Sequence, residues 1–241
     1  MTFQSPLHIS DSLLTIGGTR SFVYHGDRIP QTGSVIVVSN HRSFMDAFLL
    51  MSALRQPIRF ACHHYMGQVP LVSQLVENLG CFPLAAPERR QQHFFEQATH
   101  LLQQQQVVGI FPEGAQPMVK KTPAYDLGQF HRGFAHLALR TKVPHLAVLP
   151  VAIASIEEDT NSAVPLRLLT LFDPSEPLFQ QPGWHPMIIY RRVNLLVGRP
   201  YWITQPDRDR YQGKQAKAVV SELSDYCHAE ISQLLQAATP Q

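Results

Sequence analysis

The sequence predicts an α/β protein with a mostly parallel or mixed central sheet flanked by helices. Three observations lead there. Short runs rich in β-branched residues recur along the chain, longer helical patterns fall between them, and 241 residues at 44% hydrophobic content are enough for one substantial core.

Read in order, residues 1–30 hold scattered apolar positions, a turn at Gly17-Gly18 and a strand over 21–24. They read as an N-terminal extension to a single domain of residues 31–241. The run 35–39 (Val-Ile-Val-Val-Ser) is a short buried strand, and 47–51 (Ala-Phe-Leu-Leu-Met) forms the body of a helix reaching about Leu54. Residues 58–62 form the next strand. Pro70 opens a helix to Asn78, which Gly80 ends.

A short strand follows at 81–84. Residues 88–106 make a helix with Phe94, Phe95, Ala98, Leu101 and Leu102 on one stripe. The strand 107–111 ends in Pro112-Glu113-Gly114, a loop follows, and a helix covers 131–140. Residues 146–153 form a buried strand that Pro150 interrupts or ends. Residues 157–187, rich in Pro, Asp, Glu and Ser, read as an insertion or loop, and 193–197 as the last strand. An amphipathic helix over 214–236 closes the chain, with Val219, Val220, Leu223, Tyr226, Cys227, Ile231, Leu234 and Leu235 as its apolar positions.

Composition narrows the chemistry. A formal net charge of +2 is too mild for a nucleic-acid partner, though it is compatible with an anionic membrane surface. Three separated cysteines without a CxxC pair suggest free thiols in a reducing compartment. No metal-binding histidine spacing is visible. The first ten residues lack a signal-peptide pattern, and no window approaches the ~18 apolar residues of a membrane span, so any membrane contact is expected to be peripheral.

The chemistry concentrates in Asn40-His41-Arg42-Ser43-Phe44-Met45-Asp46, directly after the first buried strand. On one continuous helix, His41 and Asp46 would be separated by roughly 500° of rotation and would face apart. With His41 in a turn and Asp46 in the first helical turn, the carboxylate can fold back onto the imidazole. That arrangement suits a histidine general base oriented by a carboxylate. On spacing alone, Asp46 reads more simply as a capping-box and helix-dipole residue after Ser43, and His41 as a turn histidine. Phe111-Pro112-Glu113-Gly114 places a second carboxylate after another strand, where Gly114 permits a positive φ. Reacting groups in such sheets gather at the carboxyl ends of strands, so His41, Asp46 and Glu113 are expected to share one crevice.

These two blocks, in this order, resemble the glycerolipid acyltransferase family, with its NHxSxxD block followed by FPEG. The likeness continues at 79–84, at Gln129-Phe130-His131-Arg132-Gly133, at Leu149-Pro150-Val151 and at Val197-Gly198-Arg199-Pro200. The resemblance implies a glycerolipid acyltransferase-like fold and an O-acyltransferase. His41 and Asp46 would be catalytic, and Asn40, Ser43, Glu113, Gly114, Arg132 and Arg89 would serve substrate binding. It implies acyl-CoA or acyl-carrier protein as cosubstrate, no bound cofactor and no metal. The acceptor would be a lysophospholipid, most simply 1-acylglycerol-3-phosphate, met at the cytoplasmic membrane surface.

The chain departs from the family pattern at two places. Ala85-Ala86-Pro87 stand where phosphate-binding members carry an arginine, and Arg89 and Arg90 arrive late. Ala115-Gln116-Pro117 follow FPEG where Arg and Ser are usual, with Lys120 and Lys121 beyond. A transacylase, an acyltransferase for a non-phosphorylated alcohol, and an idle lipid-binding protein therefore stand as alternatives. No G-x-S-x-G elbow supports a serine hydrolase.

Overall fold

Strand β2 (Ser34–Ser39) shows how the sequence builds the layers, because all six of its residues are buried. Side chains alternate across a strand, so a strand buried on both faces needs apolar residues throughout. In the computed structural model, which describes residues 5–62, 77–84, 89–114, 122–165 and 184–239, Val35 and Val37 join one core and Ile36 and Val38 another. The first core packs Leu14 of α1 (Pro6–Ile16) and Leu49 and Leu50 of α2 (Asp46–Leu54). The second packs α3 (Arg90–Gln103), α4 (Gly133–Arg140) and α6 (Ala216–Ala238) through Leu102, Leu137 and Leu223. Each fully buried side chain of this size contributes roughly 1.5–3 kcal/mol.

The remaining strands are β1 (Arg20–Tyr24), β3 (Ile58–Cys62), β4 (Phe82–Pro83), β5 (Val107–Ile110), β6 (Leu146–Pro165), β7 (Trp184–Val197) and β8 (Tyr201–Trp202). The sheet order is β1-β7-β6-β2-β5-β3-β4, with β8 also on β6. β6, β2, β5, β3 and β4 run parallel, β7 is antiparallel to β6, and β1 is parallel to β7. The sheet is therefore mixed, with a parallel block at its centre. α1 and β1 belong to this same core and sheet.

Two expectations need correction. The stretch 157–187 is not wholly a loop: β6 runs on to Pro165 and β7 begins at Trp184, the two pairing antiparallel as a long hairpin. From Ile156 to Asn161 exposure alternates residue by residue, and the charged side chains of Glu157 and Asp159 face solvent. Such a strand needs ladder hydrogen bonds but no apolar run, so its polarity misled. Nor does Pro150 end the strand. Pairing with β7 starts at Val151, and the Pro150 carbonyl accepts from the Gly198 amide at 2.8 Å.

Two helices went unread. α1 starts at Ser5-Pro6, with the Ser5 hydroxyl accepting from the His8 amide. α5 (Gln205–Gln212) starts with a Thr204/Asp207 capping box. The helix expected from Pro70 lies mostly outside the described residues; residues 77–78 are helical and lead into Gly80.

Candidate active site

The register of β2 and β5 brings the two motifs together. Val38 pairs with Ile110 in parallel, so His41 and Glu113 each lie three residues beyond a matched pair. The motif turns thus leave the carboxyl edge at the same level. Glu113 Oε1 accepts from the His41 amide at 3.0 Å, and Oε2 accepts from the Gly128 amide at 2.7 Å. Burial pushes the Glu113 carboxyl above the ordinary carboxylate range, while those two amides and His41 oppose the shift. Gly114 has φ +69° and donates its amide to the Phe111 carbonyl at 3.1 Å, a turn that favours glycine.

Asn40 completes the strand with its side chain. Its Nδ2 donates to the Ile153 carbonyl at 2.9 Å, and the Ile153 amide donates to its Oδ1 at 2.8 Å. The chain then turns, and Asp46, the first residue of α2, folds back. Asp46 Oδ2 lies 2.9 Å from His41 Nδ1 and accepts the Arg42 and Ser43 amides at 2.7 and 2.9 Å. Asp46 Oδ1 accepts from the Tyr190 hydroxyl at 2.9 Å. Ser43 Oγ donates to the Ile188 carbonyl at 2.6 Å and accepts from the Met45 amide at 3.1 Å. One carboxylate therefore ties the turn and orients the histidine. The helix N-cap, Met45, makes no side-chain capping bond, so the carboxylate serves the turn and the imidazole rather than a capping box.

The imidazole is also held by its face. Phe111 stacks on it at 4.0 Å between centroids and 10° between planes, and Phe60 stacks beneath Phe111 at 5.1 Å and 8°. A carboxylate only accepts, so the hydrogen sits on Nδ1 and a neutral ring keeps its lone pair on Nε2. The His41 side chain is 18% exposed, whereas that of Asp46 is 1% exposed. A base with one reachable nitrogen and a buried orienting carboxylate can take a proton from a hydroxyl.

Arg42 locks the loop to its surroundings. Its guanidinium makes a bidentate pair with Glu158 of β6 at 2.8 and 2.9 Å and reaches the Thr122 carbonyl at 2.8 Å. Among the expected site residues, Asn40, His41, Ser43, Asp46, Glu113 and Gly114 are brought together. Arg132 is exposed at the start of α4, one residue beyond His131, whose amide donates to the Pro112 carbonyl at 2.8 Å. Arg89 is exposed at the start of α3, and no contact among the described residues joins it to the motif. His63, His64, residues 85–87, Lys120 and Lys121 lie outside the described residues.

Sequence reasoning missed Tyr190, Glu158 and the role of Arg42. A tyrosine on the inward face of a strand needs a partner for its hydroxyl, and that was the available signal. The thiols offer no rival nucleophile: burial pushes Cys62 up to about 12 and Cys81 up to about 11, and raises Cys227 further. Among the described residues no cluster of three or more His, Cys, Asp or Glu could hold a metal ion.

Residues 21–154 match the protein-family model described as Acyltransferase. Two chloroplastic 1-acyl-sn-glycerol-3-phosphate acyltransferases, from Brassica napus and Arabidopsis thaliana, are each 29% identical over 119 residues. These matches cover 49% of this chain and 32% and 31% of the plant proteins, so the chain spans about a third of their length. An uncharacterized protein of Mycobacterium leprae is 26% identical over 227 residues, covering 87% of this chain and 57% of that one. The crystal structure of the 1-acyl-sn-glycerophosphate acyltransferase PlsC from Thermotoga maritima superposes with a TM-score of 0.59 at 18% identity. It covers 98% of this chain and 80% of that one, a likeness of fold.

Proposed function

Because the chain belongs to the Acyltransferase family, we propose that it moves a fatty acyl group from an acyl thioester to the hydroxyl of a lysophospholipid. The acceptor best supported is 1-acylglycerol-3-phosphate, the substrate in the names of the plant relatives. The donor is acyl-CoA or acyl-carrier protein. The observation that carries the reading is the His41–Asp46 contact at 2.9 Å, set at the carboxyl edge of the parallel block.

The chemistry balances without a covalent enzyme intermediate. His41 Nε2 removes the acceptor hydroxyl proton as the oxygen attacks the thioester carbonyl carbon. The tetrahedral intermediate collapses by breaking the carbon–sulfur bond, and the imidazolium returns its proton to the departing thiolate. Asp46 stabilises the imidazolium and holds its tautomer. Asn40, Ser43 and Glu113 serve the substrate site by fixing the backbone around His41. Gly114 closes the turn that carries Glu113, and Arg132 and Arg89 are the candidates for the acceptor's phosphate, since a guanidinium suits it. The reaction is set at the cytoplasmic membrane surface, where its lipid acceptor resides. No helix among the described residues is long and apolar enough to cross a membrane.

A second reading, an acyltransferase or transacylase for a neutral acceptor, is favoured by Ala115-Gln116-Pro117 after FPEG. An acceptor screen with defined donor thioesters, read by lipid mass spectrometry, separates the two. Lysophosphatidate should be acylated at least about tenfold faster than a monoacylglycerol, as expected for a charge-assisted phosphate contact. Equal or inverted rates would transfer support to the second reading.

A further inference from the structure

Among the described residues, three of the four hydrogen bonds to the Asp46 carboxylate come from its own motif, and the fourth comes from Tyr190, 144 residues further on. We propose that Tyr190 is a positioning residue of the site, whose hydroxyl fixes the Asp46 carboxylate and thereby tunes His41 as a base. The proposal rests on the reading of His41 given above.

Tyr190 lies in β7, opposite Glu158 of β6, and is 1% exposed. A buried phenol must find a hydrogen-bond partner, and this one meets Asp46 Oδ1 at 2.9 Å. The carboxylate can only accept, so the tyrosine donates. Burial, the Asp46 charge and the shared hydrogen bond hold the phenol well above its ordinary value, so it stays a donor at any working pH.

The two oxygens of Asp46 are unequally served. Oδ2 takes His41 and two backbone amides, while Oδ1 has Tyr190 as its contact among the described residues. Removing the hydroxyl leaves Oδ1 buried with its charge less shared. The carboxylate becomes more basic, binds the Nδ1 proton more tightly and favours the imidazolium. That leaves His41 a poorer base at neutrality.

The other charged groups around His41 do not change in that experiment. Glu113, beyond β5, keeps its hold on the His41 amide, and Arg42 and Glu158 of β6 keep their bidentate pair.

Tyr190→Phe retains the ring and its packing. Two midpoints should rise together by about half to one pH unit. One is the acid limb of kcat/KM for lysophosphatidate acylation, and the other is the His41 imidazole titration followed by 15N NMR. On the acid limb kcat should fall about three- to tenfold, more than KM changes. Midpoints that stay at the wild-type values would overturn the proposal, since a merely structural tyrosine would not move them.

The unmodified protein offers a second reading. The Tyr190 ring carbon bearing the hydroxyl should shift in 13C NMR with the His41 midpoint, and a flat trace through that titration would also count against it. Activity surviving in His41→Ala would instead overturn the base assignment, while the NMR titration would still decide the role of Tyr190.

Discussion

His41 carries its hydrogen on Nδ1 because Asp46 Oδ2, 2.9 Å away, can only accept, and Nε2 is thereby left as the base. Asp46→Asn keeps the size of the side chain but brings an amide donor among four donors. It should lower kcat by about 10²–10⁴ with a smaller change in KM, measured by steady-state kinetics on folded protein. Glu113 permits a prediction of different kind. Its carboxyl is held above the ordinary range by burial, so in that interval the folded protein binds a proton that the unfolded chain releases. This group therefore makes stability fall as pH rises from the ordinary carboxylate range to the raised value. Urea unfolding across about pH 4–7 should show that slope in the wild type and its loss in Glu113→Gln. His41, Asp46 and Glu113 could be singled out in the sequence because His41 and Glu113 each follow a strand, Asp46 stands five residues after His41, and the ordered blocks around them resemble one family. Tyr190 and Glu158 were not, since their partners lie 144 and 116 residues away and only the strand order brings them near.

The strands position the base through a stack of rings that begins at a glycine. Gly109 of β5 pairs across the ladder with Phe60 of β3, and a Cβ there would run into the Phe60 ring. Phe60 supports Phe111, and Phe111 supports His41. Gly109→Ala should therefore displace the whole stack, costing about 1–3 kcal/mol of stability by overpacking and lowering kcat about tenfold. Phe60→Leu in the same chain should recover part of both losses, a coupling that a double-mutant cycle measures. Arg42 joins the motif loop, β6 and the segment at Thr122, with its side chain only 3% exposed. Arg42→Met should cost about 3–5 kcal/mol, read from urea unfolding, because a buried pair is broken on one side. The hairpin that supplies Glu158 and Tyr190 is the element the sequence concealed. Its outer half needs no apolar alternation, so charge and proline content there looked like a loop.

Across the whole molecule, the parallel block β6-β2-β5-β3 sets the reactive turns at one edge, and the antiparallel β7 sends Tyr190 to that same edge. The sequence carried the α/β class, since buried strands on both faces of a sheet require continuous β-branched runs such as Val35 to Val38. It allowed a mixed sheet but did not say which strand reverses, because no local pattern distinguishes a strand joining its neighbour in parallel from one joining antiparallel. Nor did it carry the acceptor, which depends on where Arg132 and its neighbours meet a headgroup. The central claim is that His41, held by Asp46, is the base of an acyl transfer from a thioester. The most direct measurement incubates the wild-type chain and His41→Ala with lysophosphatidate and an acyl thioester, and quantifies phosphatidate by mass spectrometry. The wild type should form phosphatidate only when the thioester is present, and the variant should be slower by about a thousandfold or more. Equal turnover by the two proteins would contradict it.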